Sequence, residues 1–235
     1  MMKKNICMLI ALAFAIEIHS QADPDPSRFN EEIKTFRAWD SKNAIPAQHV
    51  LFVGSSSIRM WRTADMFPDL PIVNRGFGGA HFSDMLFFKD DILLRYGAPL
   101  CIVLYCGDND VASGVDARQV IENFQAWWTL VQDNFPSTSL IYLPIKPCPS
   151  RWNKWPEAKK VNDAIRAMAE RDAGLYYADT ATPVLETGEP PAQDLFMEDL
   201  LHLSDKGYAI WTAVLRPLLD DIVARQRAQE KIRDK

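Results

Sequence analysis

Histidine, cysteine and glycine are scarce in this sequence, and positive charge is not in surplus. Four cysteines stand in 235 residues. One of them, Cys7, lies in an apolar leader, so a chain that begins after the leader keeps Cys101, Cys106 and Cys148. An odd count leaves at least one thiol free or paired between molecules, and the spacing fits neither a zinc site nor a disulfide scaffold. The formal net charge is −5, and no basic block interrupts the chain. Nucleic acid is therefore excluded as the expected partner. The longest apolar run, Ile6 to Ile16, is too short to cross a bilayer comfortably. No phosphate loop with its lysine is present, and no G-x-G-x-x-G follows a strand, which disfavours a nucleotide cofactor. Only four histidines are available as a general base.

What stands at the start is a leader. Met1-Met2-Lys3-Lys4-Asn5 is basic, the apolar run follows, and Ser20-Gln21-Ala22 supplies the small residues of a cleavage site. Residues 1–22 are read as a signal peptide, with a mature start near Asp23. An uncleaved anchor is the alternative. The reading implies an exported protein, periplasmic or secreted, with no stable membrane insertion after cleavage. Residues 23–235 then form a single domain, a length ample for one full α/β core.

The rest of the chain is organised around His49-Val50-Leu51-Phe52-Val53-Gly54-Ser55-Ser56-Ser57. A buried strand, about Val50 to Val53, delivers its carboxyl end to glycine and three serines. The alternative is that the serines only cap the next helix. Ahead of it, Phe29, Ile33 and Phe36 recur at helical spacing. Pro71 to Asn74 reads as a second strand running into Arg75-Gly76-Phe77-Gly78-Gly79, either an anion-binding turn or an ordinary tight turn. Ala80 to Tyr96 reads as one helix with Met85, Phe88, Ile92 and Tyr96 on its buried side. Leu100 to Tyr105 is a central strand that ends in Cys106-Gly107-Asp108-Asn109-Asp110. Asp116 opens a helix with Gln119 in capping-box position and Val120, Phe124, Trp127, Val131 and Phe135 buried. Leu140 to Ile145 and Leu175 to Ala178 complete five strands, with a helix over Pro156 to Ala173 between them. Asp179 to Phe196 is a long irregular stretch. A last helix carries Tyr208, Trp211, Leu215 and Leu219, with a kink expected at Pro217 and a solvated tail from Arg225. Alternating strands and helices indicate a doubly wound parallel sheet, with the polar strand ends on one rim.

A serine nucleophile needs a base, a group that orients the base, and donors for the oxyanion. His19 is in the leader, His49 lies at the wrong end of the sheet, and no carboxylate is obvious near His81. His202 has Asp199 three residues before it, so a local turn would bring the carboxylate to Nδ1 and leave Nε2 for serine. A surface ion pair is the alternative reading. The backbone N–H of the serine turn, the Gly79 N–H and the Asn109 side-chain amide would serve as oxyanion donors. An amide donates there without titrating.

In order along the chain, Gly54-Ser55-Ser56-Ser57, Asn74 to Gly79, Gly107-Asp108-Asn109-Asp110 and Asp199-Leu200-Leu201-His202 resemble the four blocks of the SGNH, or GDSL-like, serine esterases and acylhydrolases. The resemblance implies a flavodoxin-like three-layer α/β/α sandwich. It implies Ser56 as nucleophile, His202 and Asp199 as its partners, and Ser56, Gly79 and Asn109 as the oxyanion hole. It implies neither metal nor organic cofactor. The sequence departs from the family by carrying Ser55 where Asp commonly precedes the nucleophile. Ile58 in the last position excludes the ordinary G-x-S-x-G elbow.

The expected activity is hydrolysis of a short acyl ester, such as acetyl on a carbohydrate. Nothing in the sequence reads as a lid or membrane-docking helix. Lysophospholipase and thioesterase activities are the enzymatic alternatives, and a non-catalytic carbohydrate-binding module is the alternative from another class. Arg151 and Trp152 follow the fourth strand on the active rim and are expected to border the substrate pocket, or else Arg151 pairs with a surface carboxylate. Cys106 and Cys148 also follow strands at that rim, so a bridge between them is expected if their strands are neighbours.

Overall fold

Five apolar segments become strands: β1 (Val50–Gly54), β2 (Ile72–Gly76), β3 (Cys101–Tyr105), β4 (Ser139–Tyr142) and β5 (Leu175–Tyr177). The computed structural model describes residues 24–233, so the expected signal peptide at 1–22 and the start near Asp23 lie outside the described residues. Every pairing is parallel, and the strand order is β2-β1-β3-β4-β5. Around the sheet run α1 (Asn30–Asp40), α2 (Ser56–Arg59), α3 (Thr63–Met66), α4 (Phe82–Phe87), α5 (Lys89–Ile92), α6 (Asp108–Ser113), α7 (Ala117–Asn134), α8 (Trp155–Ala169), α9 (Thr182–Leu185) and α10 (Asp205–Arg233).

All residues of β1, β3 and β4 are buried. Their near-continuous apolar sequences follow from having both faces covered. Side chains alternate between two cores, as the period of two requires. Leu51, Val53, Ile102, Leu104, Leu140 and Tyr142 join Ile33, Phe36, Met85, Ile92, Phe124 and Ile165 on one face. Val50, Phe52, Val103, Tyr105 and Ile141 join Ile58, Trp61, Phe67, Trp211 and Leu215 on the other. The result is the expected three-layer α/β/α sandwich. Between β1 and β3 the chain turns from building the sheet one way to building it the other. Ligand sites of open parallel sheets lie at such a switch point.

α7 forms where the apolar spacing predicts it. Asp116 caps it by accepting the Gln119 N–H at 2.9 Å, and Phe124 and Trp127 are fully buried. Burial of each is worth about 2–3 kcal/mol over exposure. The capping box is only half made, because the Gln119 side chain donates to Asn123 Oδ1 at 3.1 Å instead.

Several boundaries differ from expectation. The helix expected over 80–96 is broken into α4, α5 and a 3₁₀ turn, Leu94–Tyr96, with Phe88 at φ −94°, ψ 17°. Met85, Phe88, Ile92 and Tyr96 are still all buried. An apolar period fixes which side faces the core but does not require unbroken helical hydrogen bonds. β4 stops at Tyr142, three residues early. Beyond it β5 has ended and Pro144 cannot donate. The Asn162 side chain takes the place of a strand neighbour, accepting the Ile145 N–H at 2.8 Å and donating to the Ile145 carbonyl at 2.9 Å. α9 and the 3₁₀ turn Gln193–Leu195 lie inside the stretch read as irregular. α10 runs through Pro217 and through the expected tail as far as Arg233. Arg225 pairs with Asp221 one turn back, and Gln226 donates to the Ser137 carbonyl at 2.6 Å, which favours continued helix.

The expected Cys106–Cys148 bridge is absent, and Cys101, Cys106 and Cys148 are buried free thiols. The reason is geometric. Cys106 belongs to the core on one face of the sheet and Cys148 to the core on the other.

Candidate active site

The site begins where β1 turns into α2. Gly54 has φ +143°, and a Cβ there would lie 2.0 Å from the Tyr105 carbonyl oxygen, so the turn excludes any other residue. Ser55 is buried in extended conformation, and its N–H donates to that same carbonyl at 3.0 Å. Its side chain makes no capping bond to α2. Ser56 is therefore the first helical residue and is partly exposed. α2 is pinned from both sides: Tyr208 Oη donates to the Ser57 carbonyl at 2.9 Å, and Asn74 Nδ2 donates to the Ile58 carbonyl at 2.8 Å. Gly54 pairs with Gly76 on β2 and with Tyr105 on β3, so the three loops leaving these strands start level.

His202 comes from the loop before α10. Its Nε2 lies 2.9 Å from Ser56 Oγ, and its Nδ1 lies 2.5 Å from Asp199 Oδ2. Asp199 Oδ1 accepts the N–H groups of Leu201 and His202, each at 2.9 Å. The loop is closed by an antiparallel bridge between Phe196 and Leu203. It is tightened by Leu200 in the left-handed region at φ +55°. The Leu200 carbonyl accepts both the Ser150 N–H at 3.2 Å and Ser150 Oγ at 3.0 Å, so the loop after β4 buttresses it. Desolvation opposes ionisation of Asp199, but its hydrogen bonds to His202 and Leu201 win and draw its pKa down to about 2.

Gly79 follows β2 at φ +81°, and an added Cβ would meet no described atom within 4 Å. Glycine is favoured there by its backbone conformation, not by crowding within the protein. Asn109 lies in the first turn of α6, entered through left-handed Gly107. Its Nδ2 donates to the Ala80 carbonyl at 3.0 Å, which ties the block after β3 to the glycine turn after β2. The structure thus brings Ser56, Asp199 and His202 into one hydrogen-bonded chain and joins Asn109 to the residue after Gly79. The other two described histidines do different work. His81 caps α4, its N–H donating to Asp84 Oδ2 at 2.9 Å, and His49 Nδ1 lies 3.1 Å from the Pro46 carbonyl ahead of β1.

Arg151 and Trp152 sit in the 3₁₀ turn Pro149–Lys154 beyond β4. Trp152 stacks on Trp155, with ring centroids 6.3 Å apart. Arg151 does pair with a carboxylate, but a buried one. Its Nη1 donates to Asp108 Oδ1 at 2.7 Å, and both Nη1 and Nη2 lie 3.2 Å from Asn109 Oδ1. The other Asp108 oxygen accepts Lys146 Nζ at 2.7 Å and Tyr105 Oη at 3.0 Å. Burial alone would raise the Asp108 pKa, but the two cations overcome it and hold it at about 2. Burial pushes the Tyr105 phenol well up. Sequence reasoning missed Asp108, Lys146 and Tyr105. The one available signal was Lys146 itself, a lone charge inside an otherwise apolar, proline-bounded run. Among the described residues no cluster of His, Cys, Asp and Glu could hold a metal ion. No described helix is long and apolar enough to cross a membrane.

A model of the GDSL-like Lipase/Acylhydrolase family matches residues 54–210. Platelet-activating factor acetylhydrolase IB subunit alpha1 of Pongo abelii is 28% identical over 197 residues, covering 81% of this chain and 82% of that protein. Among solved structures, a GDSL-like lipase from Bacteroides thetaiotaomicron is similar with a TM-score of 0.67 and 20% identity, over 80% of this chain and 97% of that one. The acetylxylan esterase Axe2 of Geobacillus stearothermophilus is similar with a TM-score of 0.58 and 17% identity, over 75% and 94% respectively.

Proposed function

The chain belongs to the GDSL-like lipase/acylhydrolase family of ester-hydrolysing serine hydrolases, and from that premise we propose that Ser56, His202 and Asp199 are its catalytic triad and a short acyl ester its substrate. The observation that carries this reading is the unbroken chain from Ser56 Oγ through His202 to Asp199, at 2.9 and 2.5 Å.

Ser56 Oγ attacks the ester carbonyl carbon while His202 Nε2 takes its proton. The carbonyl oxygen becomes an oxyanion, received by the Ser56 and Gly79 N–H groups and the second N–H of the Asn109 amide. The intermediate collapses, the C–O bond to the alcohol breaks, and His202 returns the proton to the departing alcohol. Water then attacks the acyl-Ser56 carbonyl, giving a proton to His202. The second tetrahedral intermediate collapses, the acyl–Oγ bond breaks, His202 returns the proton to Ser56 Oγ, and the carboxylic acid leaves. Asp199 accepts from Nδ1 and stabilises the imidazolium formed in each half. Every step is a proton or acyl transfer between side chains of this chain, substrate and water.

Two of the similar proteins are named for acting on acetyl groups, one on platelet-activating factor and one on acetylxylan. This supports acetyl as the acyl group. The absence of a lid or docking helix from the sequence favours a carbohydrate alcohol, with Arg151 and Trp152 on the substrate side of the rim. The basic-apolar-small leader supports export, and the intact mass of the exported protein should begin near Asp23. An acyl-chain-length series on the purified mature protein, followed by acetylated xylan against an acetylated phospholipid, tests the substrate. Fast acetyl turnover that falls with chain length is expected. A rate that rises toward long chains would overturn it. An organophosphonate should label Ser56 and leave Ser56→Ala unlabelled. Label on Ser55 or Ser57 would overturn the assignment.

A further inference from the structure

From the buried cluster behind the oxyanion site we infer that Arg151 is a positioning residue, holding the Asn109 amide in its donating orientation. This rests on the reading of Asn109 as an oxyanion donor. A carboxamide has two ends of nearly equal size, and only one of them donates. Reversed, Asn109 would turn its carbonyl oxygen toward the developing negative charge. Two contacts set the orientation. The Ala80 carbonyl takes one Nδ2 hydrogen at 3.0 Å, and both terminal nitrogens of Arg151 converge on Oδ1 at 3.2 Å. A reversed amide would set N–H against guanidinium N–H and carbonyl against carbonyl. With the amide fixed, the second Nδ2 hydrogen is left for the substrate oxygen.

The cluster is built to keep Arg151 in place. Asp108 holds Nη1 at 2.7 Å through one oxygen, and Lys146 at 2.7 Å with Tyr105 at 3.0 Å occupies the other. Lys146 and Asp108 expose only 1% and 8% of their side chains, and Arg151 24%. Two cations face one carboxylate, so the cluster carries one net positive charge beside the oxyanion donor. A charged donor on the amide oxygen also polarises the amide and strengthens its N–H groups. Fixed dipoles and charges aimed at developing charge act on the transition state more than on bound substrate.

The test is a double-mutant cycle on an aryl acetate, with Arg151→Ala and Asn109→Ala made singly and together. Asn109→Ala is expected to lower kcat by about 10²–10³, as loss of one oxyanion donor does. Arg151→Ala is expected to lower kcat by roughly 10- to 100-fold with KM changed less than about two-fold, and to cost less than about three-fold once Asn109 is gone. Arg151→Lys keeps a cation on Asp108 but loses the fork. It should melt with the parent and still recover less than about half of the lost kcat. The same cycle run with Arg151→Lys keeps the test valid if Arg151→Ala folds poorly. An Arg151 effect that falls on KM, or that persists at full size in the Asn109→Ala background, overturns the inference and leaves the oxyanion hole intact. A fully active Asn109→Ala overturns the oxyanion reading and this inference with it.

Discussion

Asp199 accepts three hydrogen bonds, two from backbone N–H groups and one from His202. The first two fix the loop and the third fixes the imidazole. Asp199→Asn should therefore keep the fold, since an amide oxygen can accept the same backbone bonds. It should lower kcat by about 10³–10⁴, because the charge that stabilises the imidazolium is lost. Unchanged turnover would mean that His202 is oriented by something else. The pKa of Asp199, drawn down to about 2, gives a second expectation. The carboxylate is ionised throughout the range above about pH 4. Any acid-side loss of kcat/KM in that range then belongs to another group, and it should survive in Asp199→Asn. Thiols offer a third. Burial pushes the pKa values of Cys101, Cys106 and Cys148 up, so all three should resist alkylation in the native protein. Each should react in denaturant without reductant, and a cross-linked peptide pair would refute the free-thiol arrangement. At this scale the Asp-x-x-His spacing was legible, because both partners lie within one local turn. The Arg151–Asn109 contact was not, since it joins loops after different strands through a carboxylate that the sequence gives no reason to bury.

Strand cores were legible as elements because burial on both faces leaves an apolar run, while strand ends were not. β4 shows why. Its apolar sequence continues to Ile145, but its neighbours stop, and an amide from α8 completes the hydrogen bonds of Ile145. No local pattern reports a partner 17 residues away. Asn162→Ala would leave a buried N–H and a buried carbonyl unpaired. It should lower stability by about 2–4 kcal/mol, read as an earlier urea midpoint with an unchanged slope. A midpoint within error of the parent would mean that water replaces the amide. The broken helix over 80–96 teaches the same point, since its apolar period survived while its continuity did not. The β1–α2 turn is the opposite case. Gly54 is demanded by a carbonyl 2.0 Å from its missing Cβ, and a glycine directly ahead of three serines marks that turn in the sequence itself.

On the scale of the whole molecule, the polar cluster at the rim adds a pH dependence that the two apolar cores do not supply. Asp108 is ionised in the folded state down to about pH 2, whereas an ordinary aspartate titrates near 3.9. A folded-state pKa below the unfolded one means that the unfolded chain takes up the proton first as pH falls. The stability contributed by Asp108 is therefore fully present above about pH 4 and is lost as pH falls through about 2. Asp84 acts in the opposite sense. Burial raises its folded pKa, and this outweighs the lowering by the His81 N–H and Arg28, so it weakens the fold as pH rises through the carboxylate range. Total acid stability mixes the two signs, and only a difference between variants isolates one of them. In Asp108→Asn, Lys146 and Arg151 lose their shared counter-charge, and Lys146 is left buried. Breaking a buried pair from one side costs about 3–5 kcal/mol. Parent and Asp108→Asn should therefore differ by a constant amount in urea stability above about pH 5. The gap should narrow as pH is lowered from about 4 toward 2. A gap that stays constant down to pH 2 would show that the carboxylate contributes by shape and hydrogen bonding alone. A gap that widens on acidification would mean that Asp108 is not held ionised by Lys146 and Arg151.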